Sequence, residues 1–119
     1  MRMRAALPFA AFLGLMGVVG ATLYAHAVPV PALGQAAYMA LFHAAPLLFL
    51  SQQKPSLLTR LSAIFLLLGS LLFTGSIYAK YLGGWESATR IAPAGGTLLI
   101  GGWIILLVRG LLSLRRSAA

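Results

Sequence analysis

Apart from its Lys, Arg and Tyr residues, the chain offers three side chains for acid–base or metal chemistry: His26, His43 and Glu86. Cys and Asp are absent, which removes disulfides, thiolate nucleophiles and any Ser/His/Asp set. His43 stands near the middle of a long apolar run, and an ionisable group at membrane depth is a functional candidate by default. Pro46 follows one turn later and takes away the hydrogen bond that the Phe42 carbonyl would otherwise receive. A third apolar run brings Ser70, Thr74 and Ser76 to comparable depth. The simplest chemistry is a neutral imidazole hydrogen-bonded to one of those hydroxyls. The sharper readings are a haem or metal ligand, or a group that carries a proton. A metal site needs three or four ligands, and His26 and Glu86 are expected at the outer surface, far from His43 in depth. No metal site is therefore expected within the chain. Haem ligation shared across a subunit interface stays open.

Two other groups have simpler expectations. Glu86 and Arg90 are spaced i, i+4 and would pair on a helical surface. Trp103 falls near the centre of the last apolar run, so its indole N–H needs a partner inside the fold.

The elements that position these groups follow from composition. The chain is 61% hydrophobic and 8% charged, where a soluble domain is roughly a quarter charged. Stretches of about twenty apolar residues each match a hydrocarbon core of ~30 Å. They fall at 7–25, 33–50, 57–79 and 94–112, giving one membrane domain over residues 1–119. Val28-Pro29-Val30-Pro31, Lys54-Pro55, Gly83-Gly84 and Ile91-Ala92-Pro93 carry the turn chemistry between them. Pro31, Pro55 and Pro93 suit first-turn positions, where a missing N–H costs nothing. A net charge of +8 suggests nucleic acid only on a continuous polar face. Here the cations are separated by apolar spans, so no nucleic-acid partner is expected.

Orientation follows from where those cations sit. With both termini cytoplasmic, that side holds Arg2, Arg4, Lys54, Arg60, Arg109, Arg115 and Arg116, leaving Lys80 and Arg90 outside. Tyr24, Tyr38, Tyr78, Tyr81 and Trp85 fall near the outer ends of spans, as an interfacial belt would. Arg2, Arg4, an apolar run and Ala25-His26-Ala27 mimic a cleavable secretory signal. The small-residue stripe continues through that run, so an uncleaved first span is expected.

In lipid, small residues mark the faces where helices meet. Ala10, Gly14, Gly17 and Ala21 form such a stripe, as do Ala36, Ala40 and His43. Ser62, Gly69 and Ser76 repeat at sevens on the third span, and Gly95 and Gly102 on the fourth. The spacing predicts an all-α, compact, left-handed four-helix bundle of antiparallel sequential neighbours. Gly14, Gly17, Gly69, Gly95 and Gly102 are its expected packing glycines.

Phe73-Thr74-Gly75-Ser76-Ile77-Tyr78, Pro93-Ala94-Gly95-Gly96 and Gly102-Trp103 resemble the C-terminal half of the YgdD-type small inner-membrane proteins, a family of unknown function with mitochondrial relatives in animals. Gly20-Ala21 with Ala25-His26, and Phe42-His43-Ala44, match its N-terminal half more loosely. Tyr24 replaces the usual Gly, Phe42 the usual Tyr, and the first loop is short, which marks a divergent member. The resemblance implies a four-helix fold in the bacterial inner membrane with both ends inside. It supplies no reaction.

The leading functional expectation is an accessory or assembly subunit of a larger membrane complex, without catalysis and with no resident cofactor. A small oligomeric transporter or channel using His43 is the alternative. The absence of an intramembrane carboxylate counts against proton-coupled export. A haem-binding redox subunit is the second alternative, and a holin-like lytic role is suggested only by the basic tail.

Overall fold

The computed structural model describes residues 3–118, so Arg2 of the basic N-terminal set lies outside the described residues. Four helices account for the expected spans: α1 (Ala6–His26), α2 (Pro31–Ser51), α3 (Leu57–Tyr81) and α4 (Ala92–Ala118). All four are long and apolar enough to cross a membrane. Each is longer than its apolar run and extends into the flanking residues.

Local chemistry sets the ends. Pro31 opens α2 as its first residue and Pro93 is the second residue of α4. Pro55 differs from expectation and stays outside α3. Ser56 takes the cap instead, its oxygen accepting the Thr59 N–H at 3.2 Å. Pro46 does not break α2, which runs through it. After α3 the chain turns at Gly84, whose φ of +77° lies in the left-handed region that glycine enters without steric cost. A 3₁₀ segment, Glu86–Ile91, then leads into α4.

That 3₁₀ segment corrects the expected Glu86–Arg90 pair. Three residues per turn place i+3, not i+4, on the same face. Glu86 instead approaches Lys80 at 4.0 Å, with Glu86 exposed and Lys80 partly buried. His26 is exposed at the end of α1.

Sequential helices are neighbours, as the short loops require: α1 packs on α2, α2 on α3, and α3 on α4. The bundle is nevertheless open on one side. Among the described residues the backbones of α2 and α4 nowhere approach within 8 Å. The consequence is uneven burial: half of the apolar window of α2 is inside, against 17% for α4. Ile100, Ile104, Leu107 and Leu111 therefore form an exposed apolar face on α4.

The glycines explain the tight seams. A Cβ on Gly95 would lie 2.5 Å from the Phe73 amide nitrogen and 2.8 Å from Gly69 O, while one on Gly69 would lie 2.8 Å from Gly95 O. Gly17 leaves room for Leu41, and Gly102 for Leu66. Gly14 departs from the set, since a Cβ there would make only ordinary contact with Ala44 at 3.8 Å. Gly20 and Gly34 join it, making room for the Tyr78 hydroxyl and the Tyr24 ring.

Tyr78 is accordingly not an interfacial anchor: its hydroxyl turns inward and donates to Met16 O at 2.7 Å, tying α3 to α1. Tyr78→Phe should cost about 1 kcal/mol. The check is a shift in the denaturant midpoint of detergent-solubilised protein, and no shift would deny the bond any net contribution.

Candidate functional site

The site grows from two helices that both start at the end of the bundle opposite the chain termini. His43 lies twelve positions after Pro31 and Trp103 eleven after Ala92. At 1.5 Å per residue these are depths of about 18 and 16 Å. The open side of the bundle leaves a cleft between them of about 550 Å³, lined by Met39, His43, Gly96, Leu99, Ile100 and Trp103 among others. Across it the Trp103 indole N–H donates to His43 Nε2 at 3.0 Å. The rings meet edge-on, with centroids 5.9 Å apart and planes at 60°.

The other ring nitrogen is also engaged. His43 Nδ1 lies 2.7 Å from Met39 O, one turn back in α2. A carbonyl only accepts and an indole N–H only donates. The hydrogen bonds thus select the neutral imidazole with its proton on Nδ1. A proton on Nε2 would face another N–H.

Ser70, Thr74 and Ser76 are buried as expected, yet none bonds His43. Ser70 Oγ donates to Leu66 O at 2.6 Å, and Ser76 Oγ to Phe73 O at 2.9 Å, each within α3. Helical hydroxyls reach back to the preceding turn because its carbonyl is the nearest acceptor. Thr74 Oγ1 instead donates to Ala36 O at 2.9 Å, linking α3 to α2. His43 is buried and hydrogen-bonded as expected, but its donor is an indole rather than a hydroxyl.

Trp103 is also not a core side chain: 46% of it is exposed, on the face that lipid would cover. The missed signal was its depth. Two polar groups equally far from the same end, one with a free acceptor and one with only a donor, are natural partners.

No group of three or more His, Cys, Asp or Glu residues is close enough to hold a metal ion among the described residues. Ligation of haem or metal through Nε2 would have to displace Trp103.

Comparison with known proteins agrees with this fold. The model of a family described as protein of unknown function, DUF423, matches residues 16–96. The chain belongs to that family. The UPF0382 inner membrane protein YgdD of Escherichia coli K12 is 34% identical over 79 residues, covering 64% of this chain and 60% of that protein. The same figures hold for YgdD of Escherichia coli O157:H7 and of Shigella flexneri. The chain thus matches over about 60% of the length of these curated relatives. No solved structure matches. With four spanning helices and inner-membrane relatives, this is a divergent multi-pass inner-membrane protein. The matched segment includes His43 and Gly95 but stops before Trp103.

Proposed function

We propose that the protein is a non-catalytic accessory subunit that stabilises or assembles a larger inner-membrane complex, with both termini in the cytoplasm. The observation that supports this reading is the exposed α4 face beside the open α2–α4 cleft. Its Ile100, Ile104 and Leu107 present broad apolar surface with one half-exposed indole among them. In a membrane such surface serves lipid or another helix equally well on hydrophobic grounds, and close packing decides between them. Gly96 on the cleft wall offers the small residue that a partner helix needs.

Several features argue against chemistry of its own. His43 has both nitrogens committed to structural hydrogen bonds. The sole carboxylate side chain, Glu86, is 84% exposed at the outer end. Transport or haem binding through His43 would first require release of Trp103.

The test is affinity capture of the tagged chain from native membranes, with mass spectrometry of what accompanies it. A defined set of membrane subunits is expected, and Ile104→Trp on the α4 face should deplete it at least about five-fold, the effect of roughly 1 kcal/mol. Recovery as a lone monomer, or a complex indifferent to the α4 face, counts against this role.

A further inference from the structure

We propose that the cavity where α3 begins and α4 nears its end binds the phosphate headgroup of an anionic phospholipid. Three cations converge there. Lys54, Arg109 and Arg116 line a cavity of about 540 Å³ together with Ser56, Leu57 and Leu112. The chain supplies no carboxylate side chain to balance them, because Glu86, its only one, sits beside Lys80 at the opposite end. The contact recorded for Arg109 is with a neutral group, the Gln53 Oε1 at 3.5 Å. Gathering three like charges around one cavity is unfavourable until an anion enters it.

The setting identifies that anion as a lipid rather than a free ion. The cavity lies at the edge of the apolar spans, where headgroups are found, and basic pockets between membrane helices suit phosphate headgroups. Leu57 and Leu112 stand exposed beside the cations, and Val108 and Leu111 continue the apolar surface along α4. A headgroup in the cavity would thus lay its acyl chains on exposed leucine and valine. Charges that serve topology alone need only lie on the correct side of the membrane. Arg60 and Arg115 do that at the same end without lining the cavity.

Native mass spectrometry of the detergent-purified chain, titrated with phosphatidylglycerol, phosphatidylcholine or inorganic phosphate, tests the assignment. One phosphatidylglycerol should bind in preference to phosphatidylcholine. The Arg109→Gln/Arg116→Gln variant should bind it about 25-fold more weakly, roughly five-fold for each charge removed. Arg60→Gln/Arg115→Gln removes the same charge outside the cavity and should stay within about two-fold of the wild type, since it alters only the screened surface field. Equal loss in the two double variants would reduce the effect to net charge and overturn the site. So would equal binding of phosphatidylcholine, or full displacement of phosphatidylglycerol by millimolar inorganic phosphate. Should the cavity variant fail to fold, the unmodified chain decides by itself. Its preference for phosphatidylglycerol must collapse when salt shortens the range of charge interactions to ~3 Å, and a preference that survives overturns the proposal.

Discussion

Gly95→Leu should detach α4 from α3 and give the largest loss of stability of any single substitution in the chain. At Gly95 even a methyl group would press on main chain, the Phe73 amide at 2.5 Å and Gly69 O at 2.8 Å, rather than on a side chain able to rotate away. Overpacking a closed contact costs about 1–3 kcal/mol. Gly95→Ala belongs in that range and Gly95→Leu above it. Gly69→Leu should behave alike, because the two glycines face each other. Gly14→Ala provides the contrast, with a new Cβ in ordinary contact and the helix gaining up to about 1 kcal/mol of propensity. Denaturant titration in detergent or bicelles reads the order directly. A Gly95→Leu protein with an unchanged midpoint would remove the glycine seam from the fold.

Breaking the pair that closes the cleft should have the next largest effect. Trp103→Phe keeps most of the ring but leaves His43 Nε2, in a residue only 4% exposed, without its donor. An orphaned buried acceptor costs about 1–3 kcal/mol. His43→Leu leaves the indole N–H facing hydrocarbon with no water to accept its bond, and should cost a similar amount. A double-mutant cycle should return a coupling of about 0.6–1.7 kcal/mol, between the average and the maximum for hydrogen bonds between membrane helices. Nitrogen NMR of labelled histidine gives the independent check: Nδ1 carries the proton and Nε2 is an acceptor coupled to the indole. A ring protonated at Nε2, or a coupling of zero, rejects the pair.

The parts of this fold that were legible in the sequence are those fixed by local composition. Apolar length set the four spans, and Pro31 and Pro93 marked the starts of α2 and α4, whereas the Ser56 cap of α3 was not foreseen. Gly17, Gly69, Gly95 and Gly102 stood out because small residues recur on one face of a helix. Features that depend on rotation about a helix axis were harder to read. Gly14 belongs to the same stripe as Gly17 yet faces a looser seam, since neighbouring residues of one stripe can meet different partners. The burial of His43 follows from its place in an apolar run, but its partner lies sixty positions away on a helix whose backbone does not approach α2. The Glu86–Arg90 pairing failed because spacing alone does not distinguish a 3₁₀ turn from an α-helical one. Trp103 finds the inward partner its indole needs while nearly half of it stays exposed, because depth in the membrane and distance from the bundle axis are separate coordinates, and sequence position reports only the first.

The open side of the bundle also has a meaning for biosynthesis. α1 packs on α2 and α3 on α4 through contacts close in sequence, so each hairpin can form as it leaves the ribosome. Thr74 and Tyr78 then dock the second hairpin on the first, by way of the Ala36 and Met16 carbonyls. When α4 arrives last, its backbone meets only the second hairpin among the described residues, and the bond from Trp103 to His43 reaches back at mid-depth to a helix already in place. That bond reports completed assembly: it can form only once the final span is inserted, registered and turned to the correct face.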